Sequence, residues 1–267
     1  MFIPVPVKWN SQLQKKAFTL IELLVVISVI SLLMAILMPA LAKARRQGKA
    51  ILCLNNLRQL GIAAQLYANN NDDYYPIAYM RDPDPTDSIA VYVYWDFMHI
   101  KDWNTLEQRT EPGLLWQNDT ITKVHQCPSF QGNANSPDLY TGYNYNTSYI
   151  GHGTGEAIEV PAKITQVRKP WRCALFGDGE YDGGANKFMR SPWKNEGDTF
   201  PFRAAGAQGY RHSGKTNVAF CDGHADSQKE LYTDTLPEEK SRIEQHNNSA
   251  KNKIGFLSPD NNAYALE

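Results

Sequence analysis

The chain has 267 residues, with 27 basic and 28 acidic side chains and a formal net charge of −1. This balance does not indicate the basic surface that nucleic-acid binding requires, so we expect no nucleic-acid partner. The mean hydropathy of −0.47 is that of a mostly water-soluble chain. Its length is ample for one folded domain with a buried core.

The N-terminal region has two basic residues, Lys15 and Lys16, then the small residue Ala17, then Phe18 and a long apolar run. One carboxylate, Glu22, interrupts that run near its start. An acid at the centre of a membrane-spanning helix costs about 2.5–3.5 kcal/mol on insertion scales and is rarely without a partner. We therefore expect this carboxylate to have a specific partner.

This block resembles the processing site of type IV prepilins and type II secretion pseudopilins. The resemblance implies cleavage by a prepilin peptidase between Ala17 and Phe18, with residues 1–17 as a cytoplasmic leader and N-methylation of Phe18. It also implies that Glu22 pairs with the amino terminus of a neighbouring subunit during assembly. The family usually has glycine before the cleaved bond, so Ala17 departs from its pattern. The alternative is an ordinary signal anchor in which Phe18 and Glu22 occur together by chance.

The apolar run from Leu20 to Leu41 has about 22 residues and would span about 33 Å as a helix, enough for a bilayer core about 30 Å thick. A cleavable secretory signal has a shorter apolar region, and its small-residue cleavage site follows that region. We therefore expect a retained single-pass transmembrane helix in contact with membrane lipid. The flanking basic residues nearly balance, so the orientation, with the leader in the cytoplasm and the head outside, is implied by the resemblance.

Pro39 lies near the outer end of this span, where an interior proline kinks a helix, and the related proteins often carry a proline at this place. Beyond it, apolar and small residues recur at steps of three and four, which predicts an amphipathic continuation. These residues are Leu41, Ala44, Gly48, Ile51, Leu54, Leu57, Gly61 and Ala64. The polar run Asn69–Asp73 predicts the end of the helix. Residues 18–69 are thus expected to form one long helix, from about Leu20 to about Ala68.

Residues 70–267 are predicted to form a globular head domain, hereafter the head. Short apolar runs separated by Gly, Pro, Asn and Asp predict antiparallel strands with long loops. The runs are Ala90–Trp95, Tyr143–Ile150, Arg172–Phe176 and Asn217–Cys221. A short helix is predicted over Pro237–Gln245, and surface loops over Met80–Ser88 and Asp178–Asp198. The expected fold class is α+β and pilin-like: a long N-terminal helix, transmembrane in its first half, packed on an antiparallel β-sheet head.

The resemblance extends beyond the span. The segment Cys53–Gly61 resembles the shoulder of a large group of pilin-like proteins that carry a C-terminal His-x9-Asp-Gly motif. Here the region 212–223 begins with His212 and ends with Asp222 and Gly223. Asp-Gly is also a strong signal for a two-residue hairpin turn after a strand. His212 and Asp222 would then lie at opposite ends of one strand, about 17 Å apart.

His212, Asp222 and His224 are residue types that bind metals. The hairpin prediction separates His212 from the other two, so the sequence favours a structural turn, and we expect no metal site here.

Asp178, Glu180 and Asp182 alternate like the first half of a calcium-binding loop. Met189 stands where the final bidentate acid of such a loop is expected. The sequence therefore favours a solvated acidic turn, with calcium binding as the alternative.

The four cysteines, Cys53, Cys127, Cys173 and Cys221, belong to the part expected to face an oxidising compartment. Four cysteines allow three pairings. A Cys53–Cys127 bond would tie the helix to the head, and a Cys173–Cys221 bond would join two strands. Four buried free thiols are the alternative. No Cys-x-x-Cys or Cys/His zinc spacing is present in the sequence.

The sequence lacks Gly-x-Ser-x-Gly, a phosphate-binding glycine loop and His-Glu-x-x-His, so we expect no catalytic residues, no cofactor and no enzymatic activity. The resemblance implies a pseudopilin or pilin-like subunit of the inner membrane, assembled with other pilin-like subunits into a type IV pilus or type II secretion-like filament. The alternative is a membrane-anchored extracytoplasmic glycan-binding or hydrolytic domain. Its candidate sugar-stacking residues are Trp95, Trp103, Trp116 and Trp193.

Overall fold

The structure is a computed structural model. It describes residues 19–81, 88–116, 124, 126–133 and 142–267. Helix α1 spans Leu20–Asn69, which confirms the predicted long helix. The chain divides into two compact units, and the boundary between Arg45 and Arg46 lies within α1. In the first unit every described residue, from Thr19 onward, is exposed.

In the second unit α1 buries one face against the head. The buried residues recur at three- and four-residue steps, as one side of a helix requires. They are Cys53, Leu57, Leu60, Gly61, Ala64 and Ala68. The predicted stripe is wrong at its start, because Ile51 is 61% exposed and Gly48 faces open space. Gly61 is buried, but a Cβ added there would lie 3.8 Å from the Cβ of Ala219, an ordinary contact distance, so the packing at this position does not require glycine.

The helix ends where the polar run predicts. Asp72 and Asp73, just after the last helical residue, have positive φ angles of 50° and 67°. Aspartate tolerates this left-handed conformation better than most residues. The chain therefore leaves the helix at Asn69 and turns into the head.

The first sheet is four-stranded and antiparallel, in the order β1-β2-β3-β4. Its strands are β1 (Tyr79–Arg81), β2 (Ile89–Tyr94), β3 (Phe97–Asp102) and β4 (Gln108–Pro112). The predicted strand Ala90–Trp95 corresponds to β2, whereas β3 and β4 were not predicted. Most of the predicted surface loop Met80–Ser88 lies outside the described residues.

A five-stranded central sheet has the order β10-β9-β6-β5-β7 and is antiparallel except between β5 and β7. Its strands are β5 (Asn144–Asn146), β6 (Ala174–Gly177), β7 (Phe188–Met189), β9 (Thr216–Phe220) and β10 (Ala225–Gln228). A two-stranded sheet pairs β8 (Gln208–Gly209) with β11 (Ile254–Gly255). The predicted strands Arg172–Phe176 and Asn217–Cys221 correspond to β6 and β9.

The predicted strand Tyr143–Ile150 is correct only as far as Asn146, after which Thr147–Gly151 forms one turn of π-helix. The Asn146 side chain explains the change of direction. Its oxygen accepts from the backbone nitrogen of Tyr149 at 3.2 Å, and its amide donates to the carbonyl oxygen of Ala174 at 2.8 Å. An asparagine side chain that bonds backbone groups in this way competes with continued strand pairing.

Hydrophobic clusters lie on both faces of the central sheet. In β9, Ala219 belongs to the cluster that contains the buried face of α1. Its neighbours Val218 and Phe220 belong to a second cluster, which includes Ile243. Alternate residues of a strand point to opposite faces, so β9 contributes to both. Helix α2 (Pro237–Ser249) confirms the predicted C-terminal helix and extends beyond it.

The prediction that Asp178–Asp198 is a surface loop is wrong. Asp198 is 1% exposed, and its carboxylate lies 2.6 Å from Arg190 and 2.8 Å from Arg203. The hydroxyl of Ser148 donates to the same carboxylate at 2.5 Å. Asp198 therefore forms buried ion pairs with Arg190, of the same segment, and with Arg203, which follows it in the chain.

Candidate functional site

The predicted processing residues Ala17 and Phe18 lie outside the described residues. Thr19 and Glu22, which follow them, form a reciprocal cap on the first turn of α1. Glu22 Oε2 accepts from the backbone nitrogen and from Oγ1 of Thr19, each at 2.8 Å. The backbone nitrogen of Glu22 donates to Thr19 Oγ1 at 3.3 Å. The Thr-x-x-Glu spacing is a sequence signal for such a capping box, which the sequence analysis missed.

The N-terminal part of α1 presents a continuous apolar surface. Its large apolar side chains between Leu20 and Leu41 are 45% to 79% exposed. In the described part of the chain, α1 is long and apolar enough to cross a membrane. Exposed apolar surface on this scale calls for lipid or other apolar helices around it. Pro39 lies within this helix.

In the second unit, β9 and its flanking turns lie along α1. The side-chain amide of Asn217 donates to the carbonyl oxygen of Ala50 at 3.2 Å. Farther along both elements, the side-chain amide of Gln65 donates to the carbonyl oxygen of Cys221 at 3.0 Å. The strand and the helix therefore contact each other over most of the length of β9.

The predicted hairpin turn at Asp222-Gly223 is present between β9 and β10. Gly223 has a φ of +89°, and a Cβ there would lie 3.3 Å from the side chain of Gln65. Both observations favour glycine at this position. Asp222 Oδ1 lies 2.5 Å from Nδ1 of His224, and both side chains are partly exposed. Asp222 and His224 thus pair locally in the turn, without His212.

His212 lies at the other end of β9, before a second tight turn. Ser213 and Gly214 both have positive φ angles, 57° and 80°. The backbone nitrogen of His212 donates to the carbonyl oxygen of Lys215 at 3.0 Å, as in a two-residue hairpin turn. His212 itself is 6% exposed.

His212 is part of a buried cluster with Cys53 of α1, Cys127 and Asp178. One sulfur, ring nitrogen or carboxylate oxygen from each side chain lies within 4.8 Å of the corresponding atoms of the other three. His212 Nε2 is 3.1 Å from Asp178 Oδ2 and 3.6 Å from Cys127 Sγ. Cys53 Sγ is 3.1 Å from Asp178 Oδ1. The sequence analysis missed this cluster, because its members are far apart in the chain and follow no local spacing.

The carboxylate of Asp178 is the group that the charged and polar neighbours in this cluster contact. Burial acts to raise the pKa of its carboxyl, but the guanidinium of Arg211, 3.5 Å from Oδ1, together with His212 and the backbone of Asn217, outweighs burial and lowers that pKa. The backbone nitrogen of Asn217 donates to Oδ2 at 2.8 Å. For His212, burial opposes protonation, but the hydrogen bonds and charge interactions with Asp178 and Cys127 together outweigh burial and raise the pKa to about 9.

The four cysteines are buried free thiols. Burial raises the pKa of the Cys53 thiol well above its usual value. Burial also acts to raise the pKa of Cys127, but the hydrogen bonds with Cys53 and His212 and the charge of Arg211 together outweigh burial and lower that pKa to about 6. Cys173 and Cys221 are adjacent too, with the backbone nitrogen of Cys221 donating to the carbonyl oxygen of Cys173 at 3.0 Å. Both pairs considered from the sequence are thus close neighbours.

The acids of the hypothetical calcium loop do not converge on one point. Asp178 faces the buried cluster, and Glu180 lies 3.2 Å from Arg211. Asp182 is exposed and has a positive φ of 49°. A calcium loop turns its carboxylates towards a common centre, so this arrangement does not favour calcium binding.

The tryptophans considered for sugar stacking differ in their surroundings and in their exposure to solvent. Trp95 is 1% exposed and belongs to the core around α1. Trp193 uses its indole nitrogen to donate to the carbonyl oxygen of Pro259 at 3.0 Å. Trp103 is 49% exposed, with the ammonium of Lys101 3.8 Å from its ring centre. At least Trp95 is unavailable to a sugar.

Residues 13–38 match the family described as the prokaryotic N-terminal methylation motif. No curated protein and no solved structure matches the chain. The matched segment includes Ala17, Phe18 and Glu22, and it leads into the exposed apolar part of α1. Together the motif and the helix support a type IV pilin-like protein, processed at a prepilin-type site and anchored to a membrane by one helix.

Proposed function

We propose that the chain is a subunit of a pilin-like filament of the type IV pilus or type II secretion class. In this proposal a prepilin peptidase cuts between Ala17 and Phe18, and Phe18 is then N-methylated. The observation that carries the proposal is the exposed apolar surface of α1, which begins inside the matched methylation motif. Lipid covers this surface before assembly, and the α1 helices of other subunits cover it afterwards. The subunit has no catalytic activity of its own.

Glu22 is the residue that we assign to assembly. In a filament core, an unpaired carboxylate surrounded by apolar helices is costly. The methylated amino terminus of a neighbouring subunit supplies the opposite charge at the level of the first helical turn. Because other axial positions leave both charges unpaired, this contact fixes the register between subunits. Packing of the apolar surfaces supplies most of the affinity.

Replacement of Glu22 by alanine is expected to block incorporation into filaments while leaving the second unit folded. The measurement is the fraction of the variant in sheared or purified filaments, compared with its level in the membrane. We expect this fraction to decrease at least tenfold. The variant cannot form the ion pair in the low-dielectric filament core, and the amino terminus of the neighbouring subunit is left without its partner.

Glu22→Gln separates the two possible functions of this side chain. The glutamine oxygen can still accept from Thr19 and preserve the helix cap, but it carries no charge. We expect Glu22→Gln to be excluded from filaments like the alanine variant. Normal incorporation of Glu22→Gln would show that capping, rather than charge pairing, is what assembly requires.

Processing is tested by the mass of the N-terminal peptide of the protein purified from its native membrane. We expect a peptide that begins with N-methylated Phe18. Ala17→Gly, which introduces the residue usual in the family, should be processed at least as well. An intact leader in the wild-type protein from peptidase-containing cells would contradict the proposal.

A further inference from the structure

We propose that Cys53, Cys127, Asp178 and His212 form a zinc-binding site that fastens α1 to the head. This site is independent of the assembly function of the N-terminal segment, because all four residues belong to the second compact unit. It assigns a binding function to His212, which the sequence analysis placed in a structural turn.

The donor set suits zinc. Thiolate sulfur, imidazole nitrogen and carboxylate oxygen are all ligands of Zn²⁺, and four ligands complete the tetrahedral coordination that zinc prefers. Sulfur ligands disfavour calcium and magnesium, which prefer oxygen. All four residues are buried, so a bound ion would be closed off from solvent, as in structural rather than catalytic sites.

The geometry is close to that of a closed tetrahedral site. With bonds of about 2.0–2.3 Å, tetrahedral zinc ligands lie about 3.3–3.8 Å apart. The separations Cys53 Sγ to Asp178 Oδ1, Cys127 Sγ to His212 Nε2, and His212 Nε2 to Asp178 Oδ2 are 3.1, 3.6 and 3.1 Å. No pair of donor atoms in the cluster is farther apart than 4.8 Å. Small side-chain rotations therefore suffice to place one ion between them.

The surroundings of the cluster orient and neutralise such a site. The backbone nitrogen of Asn217 holds Asp178 Oδ2 at 2.8 Å, which fixes the carboxylate as outer-shell partners do in metal sites. Two thiolates and one carboxylate exceed the charge of Zn²⁺ by one negative unit. The guanidinium of Arg211, which Glu180 also contacts, lies 3.5 Å from Asp178 and supplies a positive charge there.

The ligands come from four separate parts of the chain. Cys53 belongs to α1, Cys127 follows the first sheet, Asp178 directly follows β6, and His212 precedes the turn before β9. One ion bound to all four would join the helix to the central sheet and to the Cys127 segment. A cross-link of this kind would reinforce the hydrophobic contact between the helix and the head.

The test uses the full-length protein in detergent, purified without chelators and with a phosphine reductant. Elemental analysis together with native mass spectrometry should give about one zinc per chain. Cobalt added alone to the metal-depleted protein should give the visible bands of a tetrahedral ion and a thiolate-to-cobalt charge-transfer band. The cobalt spectrum reports on sulfur ligation in the wild-type chain and does not depend on any variant folding.

Cys127→Ala and Cys173→Ala form a matched pair. Both replace a buried free cysteine, but Cys173 Sγ donates to the carbonyl oxygen of Tyr264 at 3.2 Å and is not in the cluster. Cys127→Ala should reduce zinc content at least tenfold, whereas Cys173→Ala should keep it. Equal loss in both variants would overturn the assignment. So would a wild-type protein that binds neither zinc nor cobalt, or one that carries a Cys53–Cys127 disulfide and no metal when it is purified without the reductant.

Discussion

Asp198→Asn is expected to lower the free energy of unfolding of the second unit by about 3–5 kcal/mol, the usual cost of removing one partner from a buried ion pair. Arg203 is fully buried and Arg190 nearly so, and both contact the Asp198 carboxylate. Asparagine preserves the shape of the side chain but leaves Arg203 without its counter-ion and Arg190 with only Glu156, 2.9 Å away. Urea unfolding of the full-length protein in detergent, followed by tryptophan fluorescence, measures the difference.

The matched control is Asp234→Asn. Asp234 pairs with Lys240 at 2.8 Å, but the two side chains are 61% and 42% exposed. An exposed pair of this type contributes about 0–1 kcal/mol, so this substitution should change stability little. If both substitutions cost the same, the buried network does not stabilise the head in the way its geometry indicates.

The same network predicts a pH dependence. Burial acts to raise the pKa of Asp198, but the charges of Arg190 and Arg203 and the hydrogen bond from Ser148 together outweigh burial and hold that pKa below its usual value. A carboxyl with a lowered folded-state pKa contributes its stability above its unfolded pKa of about 3.9 and loses it as the pH falls through the folded-state value. The stability difference between wild type and Asp198→Asn should therefore shrink below about pH 4. A constant difference from pH 7 to pH 3 would contradict this linkage.

Leu60→Ala is the second substitution with a large expected effect. Leu60 is fully buried in the cluster that α1 shares with the central sheet. Truncation of a buried leucine removes apolar contacts and leaves a cavity, at a cost of about 2–5 kcal/mol. The loss should appear as a lower urea midpoint for the whole second unit, because this part of α1 belongs to its core.

Leu66→Ala is the internal control for this experiment. Leu66 lies on the same helix, but its side chain is 57% exposed. The same change of leucine to alanine should then alter the free energy of unfolding by no more than about 0.5 kcal/mol. A comparable loss in both variants would mean that α1 contacts the head through a different face.

Local sequence signals were sufficient to predict the two helices and the hairpin turn after β9. The end of α1 follows from the polar run after Asn69, and the turn after β9 follows from Asp222-Gly223. Both are decided by residues next to one another in the chain. The strand predicted through Ile150 was wrong in its second half, because the cap at Asn146 depends on a tertiary partner, the carbonyl of Ala174.

The buried polar groups could not be predicted from local pattern. The segment that contains Asp198 looks hydrophilic, and only the folded arrangement supplies Arg203 to its carboxylate. Likewise Cys53 and His212 are separated by most of the head sequence, and they meet because β9 lies along α1. In both cases long-range contacts decide the burial of a charged or reactive side chain.

The contact between β9 and α1 also explains why the number of residues between His212 and Asp222 matters. The strand side contacts α1 at two places: Asn217 binds the carbonyl oxygen of Ala50, and the carbonyl oxygen of Cys221 binds Gln65. One residue more in β9 would shift the turn by about 3.3 Å and exchange the two faces of the strand. The spacing therefore acts as a molecular ruler, more tolerant of substitution than of insertion or deletion.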